Sequence, residues 1–350
     1  MSVTVELVDP RHDPEPADLA AFVAAEGLMP LWSYDLSGIA SWNSWTPTLL
    51  GMVRSGSRLV TVICAVTLCP VVRGRFAPAG PGPVPRILDV RQPFNGHTHS
   101  WHVAAEVPET ERADLFAAFE RAAFRRLGPT CLGVVYRQAT AADLPMLRRR
   151  GRVLRRLTRP AVPVMGTSVM NVAWSGVDGW LATLRKSRRG DLRRQVRRLA
   201  EDPDLVVRFD FGRTDVDTVA AARLLRAHHL RYNNGRIDRP QPTPSFLDRF
   251  VRRPDVGILT YTDRSGRLVG YGTLMWTGRF GAIIGQWAAL RPEDGGHQHL
   301  YFDMYHRFVS RAIEDGRTTI NAGRGMGEVK ADLGFADEPM YSVVSPRWIT

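Results

Sequence analysis

Lysine is almost missing from this chain of 350 residues: among 47 basic residues, only Lys186 and Lys330 are lysines. Arginine serves wherever a generic surface cation is needed, but it cannot replace a compact ammonium or a group that must titrate. The two lysines are therefore candidates for roles that arginine cannot fill. Cysteine is scarce too, at Cys64, Cys69 and Cys131, with no C-x-x-C pair and no His/Cys cluster at zinc-finger spacing. That pattern argues against a disulfide framework or a structural zinc, and the thiols read as small apolar core groups in a reducing compartment. His97, His99 and His102 follow Pro93 in a loop-like stretch without a carboxylate partner in sequence. They read as surface or supporting histidines, and neither a metal nor a cofactor is expected. No apolar run approaches the roughly 18 residues of a membrane span, and Met1 to Pro16 is acidic and interrupted by proline. Neither a span nor a signal peptide is expected, and the expected location is the cytoplasm.

What is present is positive charge. A net charge of +12 and a sequence pI near 10.4 point to a polyanionic partner or substrate. Arg148 to Arg159 is one dense cluster. Arg185, Lys186, Arg188, Arg189, Arg193, Arg194, Arg197 and Arg198 form another. Like charges three and four apart on a helix repel, so a bound anion would relieve the second cluster. The plainer alternative is a solvated basic helix.

The length favours two domains. Leu59 to Leu68 is an uninterrupted β-branched and apolar run that reads as a buried strand. Gly74 to Pro85 is a loop by its glycine and proline content. Strand and helix then alternate through Ile87–Val90, Glu109–Leu127, Cys131–Tyr136 and Ala141–Arg150. After Pro160 and Pro163 the pattern resumes. A strand at Val169–Ala173 leads to one long basic helix at Gly179–Glu201, then a strand at Val206–Phe211 and a helix at Val216–Leu230. The turn Asp263–Gly266 joins strands Val256–Thr262 and Leu268–Thr277 as a hairpin. Ala282–Leu290 is the next strand, Leu300–Glu314 a helix closed by Gly316, and Thr318–Asn321 and Tyr341–Ile349 the last strands. The fold class is α/β or α+β.

Three segments resemble the Fem-like branch of the GNAT (N-acyltransferase) superfamily, the peptidoglycan biosynthesis or recognition proteins. Leu184 to Leu199 (LRKSRRGDLRRQVRRL) is similar to their basic helix. Leu300 to Gly316 (LYFDMYHRFVSRAIEDG) is similar to their helix ending in A-I-E-x-G. Asn321 to Phe335 (NAGRGMGEVKADLGF) matches their G-x-x-G-E-x-K-x-x-x-G-[FY] pattern at Gly327, Glu328, Lys330, Gly334 and Phe335, and departs from it at Val329. A weaker likeness covers Gln92 to Gly151, and the first 85 residues are not placed.

The resemblance implies tandem GNAT-like domains, each a mixed, mostly antiparallel sheet flanked by helices. Residues 1–165 would form the acceptor side, and 166–350 the donor side with the catalytic motif. It implies transfer of an aminoacyl group from aminoacyl-tRNA to a small-molecule or peptide amine. Lys330 would be a donor-site ammonium that stabilises a developing oxyanion, oriented by Glu328, with Asp303, His306 or Glu328 as base. On that view Lys330→Arg folds normally and loses turnover. The tRNA phosphates would meet Arg185, Lys186, Arg189, Arg193, Arg194, Arg197, Arg155 and Arg156. Trp42, Trp45 and Trp101, in loop-like regions, would wall the acceptor site. His228 and His229 share a helix, one expected inside and the other outside.

Two other readings compete. The first is a conventional acyl-CoA or acyl-carrier N-acyltransferase. Its pyrophosphate loop would be Arg291 to Gln298, where Glu293 and Asp294 are expected to repel the phosphates. The second is a non-catalytic binding module of the same fold.

Overall fold

The computed structural model describes residues 3–43, 48–69, 79–96, 98–148, 159–232, 240–279 and 281–349. In chain order the strands and helices are β1 (Val3–Val8), α1 (Leu19–Ala25), α2 (Tyr34–Asn43), β2 (Thr48–Ser55), β3 (Arg58–Leu68), β4 (Arg86–Val90), β5 (Trp101–Val103), α3 (Glu109–Leu127), β6 (Cys131–Ala139), α4 (Leu144–Leu147) and β7 (Ala161–Asn171). They continue with α5 (Val177–Thr183), α6 (Lys186–Ala200), β8 (Leu205–Phe211), α7 (Thr218–Tyr232), α8 (Pro244–Val251), β9 (Val256–Asp263), β10 (Leu268–Thr277), β11 (Gly281–Ala289), α9 (Leu300–Glu314), β12 (Thr319–Asn321), α10 (Gly327–Ala331) and β13 (Ala336–Pro346).

The described residues fall into two compact units. The first lies within 1–26, 31–166 and 339–350, and the second within 27–30 and 167–338. From sequence, 339–350 goes with the second half, but Tyr341–Pro346 of β13 pairs antiparallel with β6 of the first unit. A β-branched segment with no local partner shows its propensity and not its neighbour, which is why the sequence misplaces it.

The first unit has the sheet order β1-β2-β3-β4-β6-β13, with β5 added on β3 and only β4·β6 parallel. Its core forms where α3 lays Leu115, Phe116, Phe119 and Leu127 on the sheet. The second unit has the order β7-β12-β11-β10-β9-β8, with only β11·β12 parallel. There α5, α6 and α9 supply Trp180, Leu192, Met304 and Phe308 to a core that includes Tyr261 and Leu333.

One order of elements occurs twice. Strand, two helices, three strands, helix, strand and helix run from β1 to α4 and again from β8 to α10, with β5 as an addition in the first copy. The parallel pair stands at the same place in both. These are tandem α/β units with mixed, mostly antiparallel sheets flanked by helices.

The long basic helix expected at 179–201 is two helices. Leu184 is extended (ψ 152°) and buried, and Arg185 stands ahead of α6 with non-helical backbone. The break lets Trp180 and Leu181 on α5 and Leu192 and Leu199 on α6 enter the same core. Trp101, expected in a loop, lies on β5 and is 3% exposed. Its ring stacks on His99 at 4.7 Å and meets Phe116 and Tyr136 edge-on. It is a core residue of the first unit. Trp42 lies in the last turn of α2, is 39% exposed, and touches His12 and Arg11; Trp45 lies outside the described residues. His102, read as lacking a carboxylate, meets Glu26 at 2.9 Å.

Trp101→Ala should therefore cost the first unit about 3–5 kcal/mol, the usual scale for emptying a large aromatic site. Chemical denaturation checks this. A cost under about 1 kcal/mol with a raised acceptor KM would restore Trp101 to an acceptor wall.

Candidate active site

The two parallel pairs differ in how far they run. In the first unit β4 pairs with β6 at both of its ends, Arg86 and Val90, with a register shift between Arg86 and Leu88. In the second, β11 pairs with β12 only at Gly281–Ile283 against Thr319–Asn321, and then continues to Ala289 without it. The cause is local. Between the pairs Leu274↔Ile284 and Gly272↔Trp287, β10 has one residue and β11 has two, Gly285 and Gln286. This bulge is tied by the Gln286 N–H donating to Thr273 Oγ1 at 2.7 Å. Glycine is required at 285, since a Cβ would stand 2.6 Å from that oxygen. A bulge bends its strand. Here it follows the last β12 pair at once, so the two strands fork.

The far arm of the fork is the turn after β12, and Lys330 holds it. Lys330 is 2% exposed, and its Nζ donates to the carbonyls of Ala322 (2.7 Å), Gly323 (2.9 Å) and Arg324 (3.4 Å). Three ammonium protons meet three carbonyls. The turn carries Gly323, Gly325 and Met326 at positive φ, a path a chain adopts only when its surroundings dictate it. Burial, with no charged partner among the described residues, pushes the Lys330 pKa from 10.5 down to about 8. Lys330, expected as a donor-site ammonium, is thus buried and clamps the turn, and a planar guanidinium cannot reproduce its compact three-way donation. Glu328 does not orient it: Glu328 is exposed on the short α10 and makes no contact with Lys330. Asp303 is wholly buried on α9. Its Oδ2 accepts from Tyr261 Oη (2.8 Å) and Arg307 Nε (2.6 Å), so it ties α9 to the sheet instead of facing solvent. His306 is half-buried beside Trp180, and burial lowers its pKa.

The other end of β11 leads to the loop before α9. Glu293 and Asp294, expected to repel a pyrophosphate, are neutralised there. Arg291 reaches Glu293 at 3.0 Å and Asp294 at 2.9 Å, Arg231 reaches Asp294 at 3.5 Å, and Arg267 donates to the Asp294 carbonyl. Gly296 allows the tight return, since a Cβ there would lie 2.2 Å from the Leu290 carbonyl. His299 then adopts a left-handed backbone (φ 68°) directly before α9. The N–H groups of His297, His299, Leu300 and Tyr301 find no hydrogen-bond partner among the described residues. Free N–H groups at a helix start favour anions. The first unit offers the opposite: α3 opens after Pro108 with Glu109 and Glu111.

Helix α6 lies alongside this helix start. Arg188 stacks over the Phe302 ring at 4.0 Å, and His297 meets Asp202 at 3.0 Å. Burial, then Arg198 and Arg194, hold the His299 pKa below its usual value, which places both guanidinium groups near the α9 start. Arg193 is paired with Asp178 and Arg194 with Asp191, both on the surface, and Arg189 donates to the Ala182 carbonyl. The side chains of Arg185, Lys186, Arg197 and Arg198 find no carboxylate among the described residues. Arg155 and Arg156 lie outside them. From sequence, the bulge at Gly285–Gln286 was missed; the Gly-Gln-Trp break in an apolar strand was its only trace.

With this geometry in view, residues 186–331 match the family described as acetyltransferase (GNAT) domain. The second unit carries a GNAT acetyltransferase domain. It is an N-acyltransferase domain, and the fork and the α9 start are its distinctive features beside the closed first copy. No curated protein matches in sequence. Among solved structures, L-PGS from Bacillus licheniformis superposes with a TM-score of 0.61 at 13% identity, over 95% of this chain and 92% of that one. FemX gives 0.53 at 10% identity, over 96% of each chain. The C-terminal domain of a putative lysylphosphatidylglycerol synthetase from Agrobacterium fabrum gives 0.53 at 14%, over 81% and 80%. At such identities the likeness is one of fold, and it runs through both units. Among the described residues no helix is long and apolar enough to cross a membrane.

Lys330→Met would remove the ammonium donor from three carbonyls, of which that of Gly323 keeps the Ser168 N–H. Amide hydrogen exchange within 321–326 should rise roughly tenfold or more, the scale of one to three kcal/mol for unsatisfied buried groups, while α9 keeps its protection. Unchanged exchange in that turn would show that the ammonium does not hold it. Linkage gives a second signature. The folded chain sheds this proton near pH 8 and the unfolded chain near 10.5, so between those values the unfolded state binds more protons. Denaturation at both ends of that window should find the parent gaining stability relative to Lys330→Met as pH rises.

Proposed function

We propose that the second unit forms an amide bond by moving an aminoacyl group from aminoacyl-tRNA to an amine acceptor. The observation that carries this reading is the unneutralised basic face of α6 beside the open α9 start. Exposed cations that find no carboxylate keep their full attraction for a polyanion, and phosphate neutralisation is the dominant source of affinity for nucleic acid. The likeness in fold to FemX and L-PGS supports it. In this reading Arg185, Lys186, Arg197 and Arg198 meet phosphates, and the fork receives the acyl group. Lys330 acts by positioning the turn. The acceptor is a peptide or small-molecule amine, and the site of action is the cytoplasm.

A specific observation favours a second reading, transfer from acyl-CoA. With Glu293 and Asp294 neutralised, the free N–H groups before α9 suit a pyrophosphate as well as a tRNA phosphate.

The two part in a single assay. If tRNA is the donor, ribonuclease abolishes product, and Arg197→Glu with Arg198→Glu weakens binding and flattens its salt dependence by about one log–log unit or less per lost contact. Product formed from acetyl-CoA after ribonuclease treatment, with saturable binding at micromolar concentration, would replace the first reading by the second.

A further inference from the structure

The outer strands of the second unit's sheet carry a groove of about 730 Å³ on the α7 side. Helix α7 lies over β10 and β11, and the sheet face at Val206, Arg208 and Thr262 is left as an open floor. One wall is α7 from Ala220 to Ala227, and the other is the turn from Asp263 to Arg267. Neither Gly285 nor Gln286 of the bulge lines it, so the groove is separate from the fork. Buried Arg213 fixes the floor. Its Nη1 donates to Thr260 Oγ1 (2.7 Å) and the Arg208 carbonyl (3.1 Å), and its Nε and Nη2 hold Asp215.

Charge decides what can lie there. Five guanidinium groups, of Arg208, Arg213, Arg223, Arg264 and Arg267, line the groove against three carboxylates, of Asp215, Asp217 and Asp263. Each carboxylate is already engaged. Asp215 is shared by Arg213 and Arg208, Asp217 accepts from the Val219 and Ala220 N–H groups at the start of α7, and Asp263 accepts from Ser265 and the Arg267 N–H within the turn. Arg264 is paired with Asp204, outside the lining. Arg223, exposed on α7, finds no carboxylate among the described residues. Arg208 and Arg267, also exposed, keep donors beyond their single side-chain hydrogen bonds to Asp215 and to the Asp294 carbonyl. No aromatic ring lines the groove, so it offers a nucleic-acid base no stacking surface, whereas guanidinium forks suit phosphate oxygens.

The turn that walls the groove also touches both parts of the site described above. Arg264 Nε donates to the Pro203 carbonyl just beyond α6 (3.0 Å), and Arg267 Nη2 to the Asp294 carbonyl in the loop before α9 (3.1 Å). Arg197 and Arg198 stand in the last turn of α6. The basic face of α6 is thus joined to the groove through a single turn. We infer that the groove is a second nucleic-acid contact, in which Arg208, Arg223 and Arg267 hold backbone phosphates of the donor tRNA beyond the stretch that crosses α6. The inference rests on the tRNA reading for its partner. The groove binds and orients the donor and adds no step to the transfer, and contacts to phosphate are independent of base sequence.

Deacylated total tRNA is titrated onto the full chain over a range of salt concentrations. Arg223→Gln should make the log–log salt dependence shallower by about 0.7 to 0.9, and so weaken binding about five- to eightfold at 0.1 M salt, the factor that such a slope gives over the decade up to 1 M. Arg121→Gln, which removes the same charge from α3 of the first unit, should leave the slope unchanged. If Arg197→Glu with Arg198→Glu flattens the slope and Arg223→Gln does not, the groove assignment is overturned and the tRNA reading stands. Equal flattening by Arg121→Gln would overturn the assignment as well, since net charge alone would then be at work. A parent chain that binds polyglutamate through Arg223 and no tRNA would overturn both, and make the groove a site for an acidic polypeptide.

Discussion

An ammonium buried among three backbone carbonyls fixes the arm of the fork that faces β11. The ammonium acts together with Ser168 of β7, which accepts from the Ala322 N–H and donates to the Gly323 carbonyl, in a turn where Gly323 and Gly325 lie at positive φ. A carboxylate partner would neutralise the ammonium but would also claim its donors. Without one, all three protons go to the turn, at the cost of a lowered pKa. Only lysine has this shape: guanidinium donors lie in a plane and cannot converge on three carbonyls of a single bend. That explains why lysine persists at 330 in a chain that otherwise uses arginine almost throughout.

The near arm has a different cause. The bulge at Gly285–Gln286 bends β11 away directly after its last pair with β12, and Thr273 locks the bend. The first unit repeats the order of elements without either device. Its parallel pair is closed along β4, and its equivalent helix begins with two glutamates. The two units share one order of elements, and a one-residue insertion in a strand, a lysine and an uncapped helix start distinguish the second. Sites grafted on a fold, and not the fold itself, carry the activity.

Much of this was legible in the residues. The apolar run at 59–68 is β3, the Asp263–Gly266 turn joins β9 to β10, and Leu300–Glu314 is α9, because each is a local signal of periodicity or turn chemistry. The rarity of lysine singled out Lys330, yet could not say what surrounds it. Burial and three carbonyl partners depend on how the turn folds back, and composition is blind to that. Glu293 and Asp294 looked hostile to phosphate because two of the arginines around them, Arg231 and Arg267, stand far away in sequence. The break between α5 and α6 was hidden because Leu184 and Arg185, where the chain turns extended, are both good helix formers, and the burial of Leu184 is a tertiary effect. Trp101 was misread because a three-residue strand leaves almost no periodic trace.

The central claim is that acyl transfer occurs in the fork of the second unit and nowhere in the first. A photoreactive acyl donor, prepared both as an aminoacyl-tRNA ester and as a CoA thioester, tests it directly when the labelled peptides are mapped by mass spectrometry. Labelling concentrated on 284–289 and 322–326, from whichever donor binds, is the predicted result. Labelling concentrated on β4 and β6 of the first unit would contradict it.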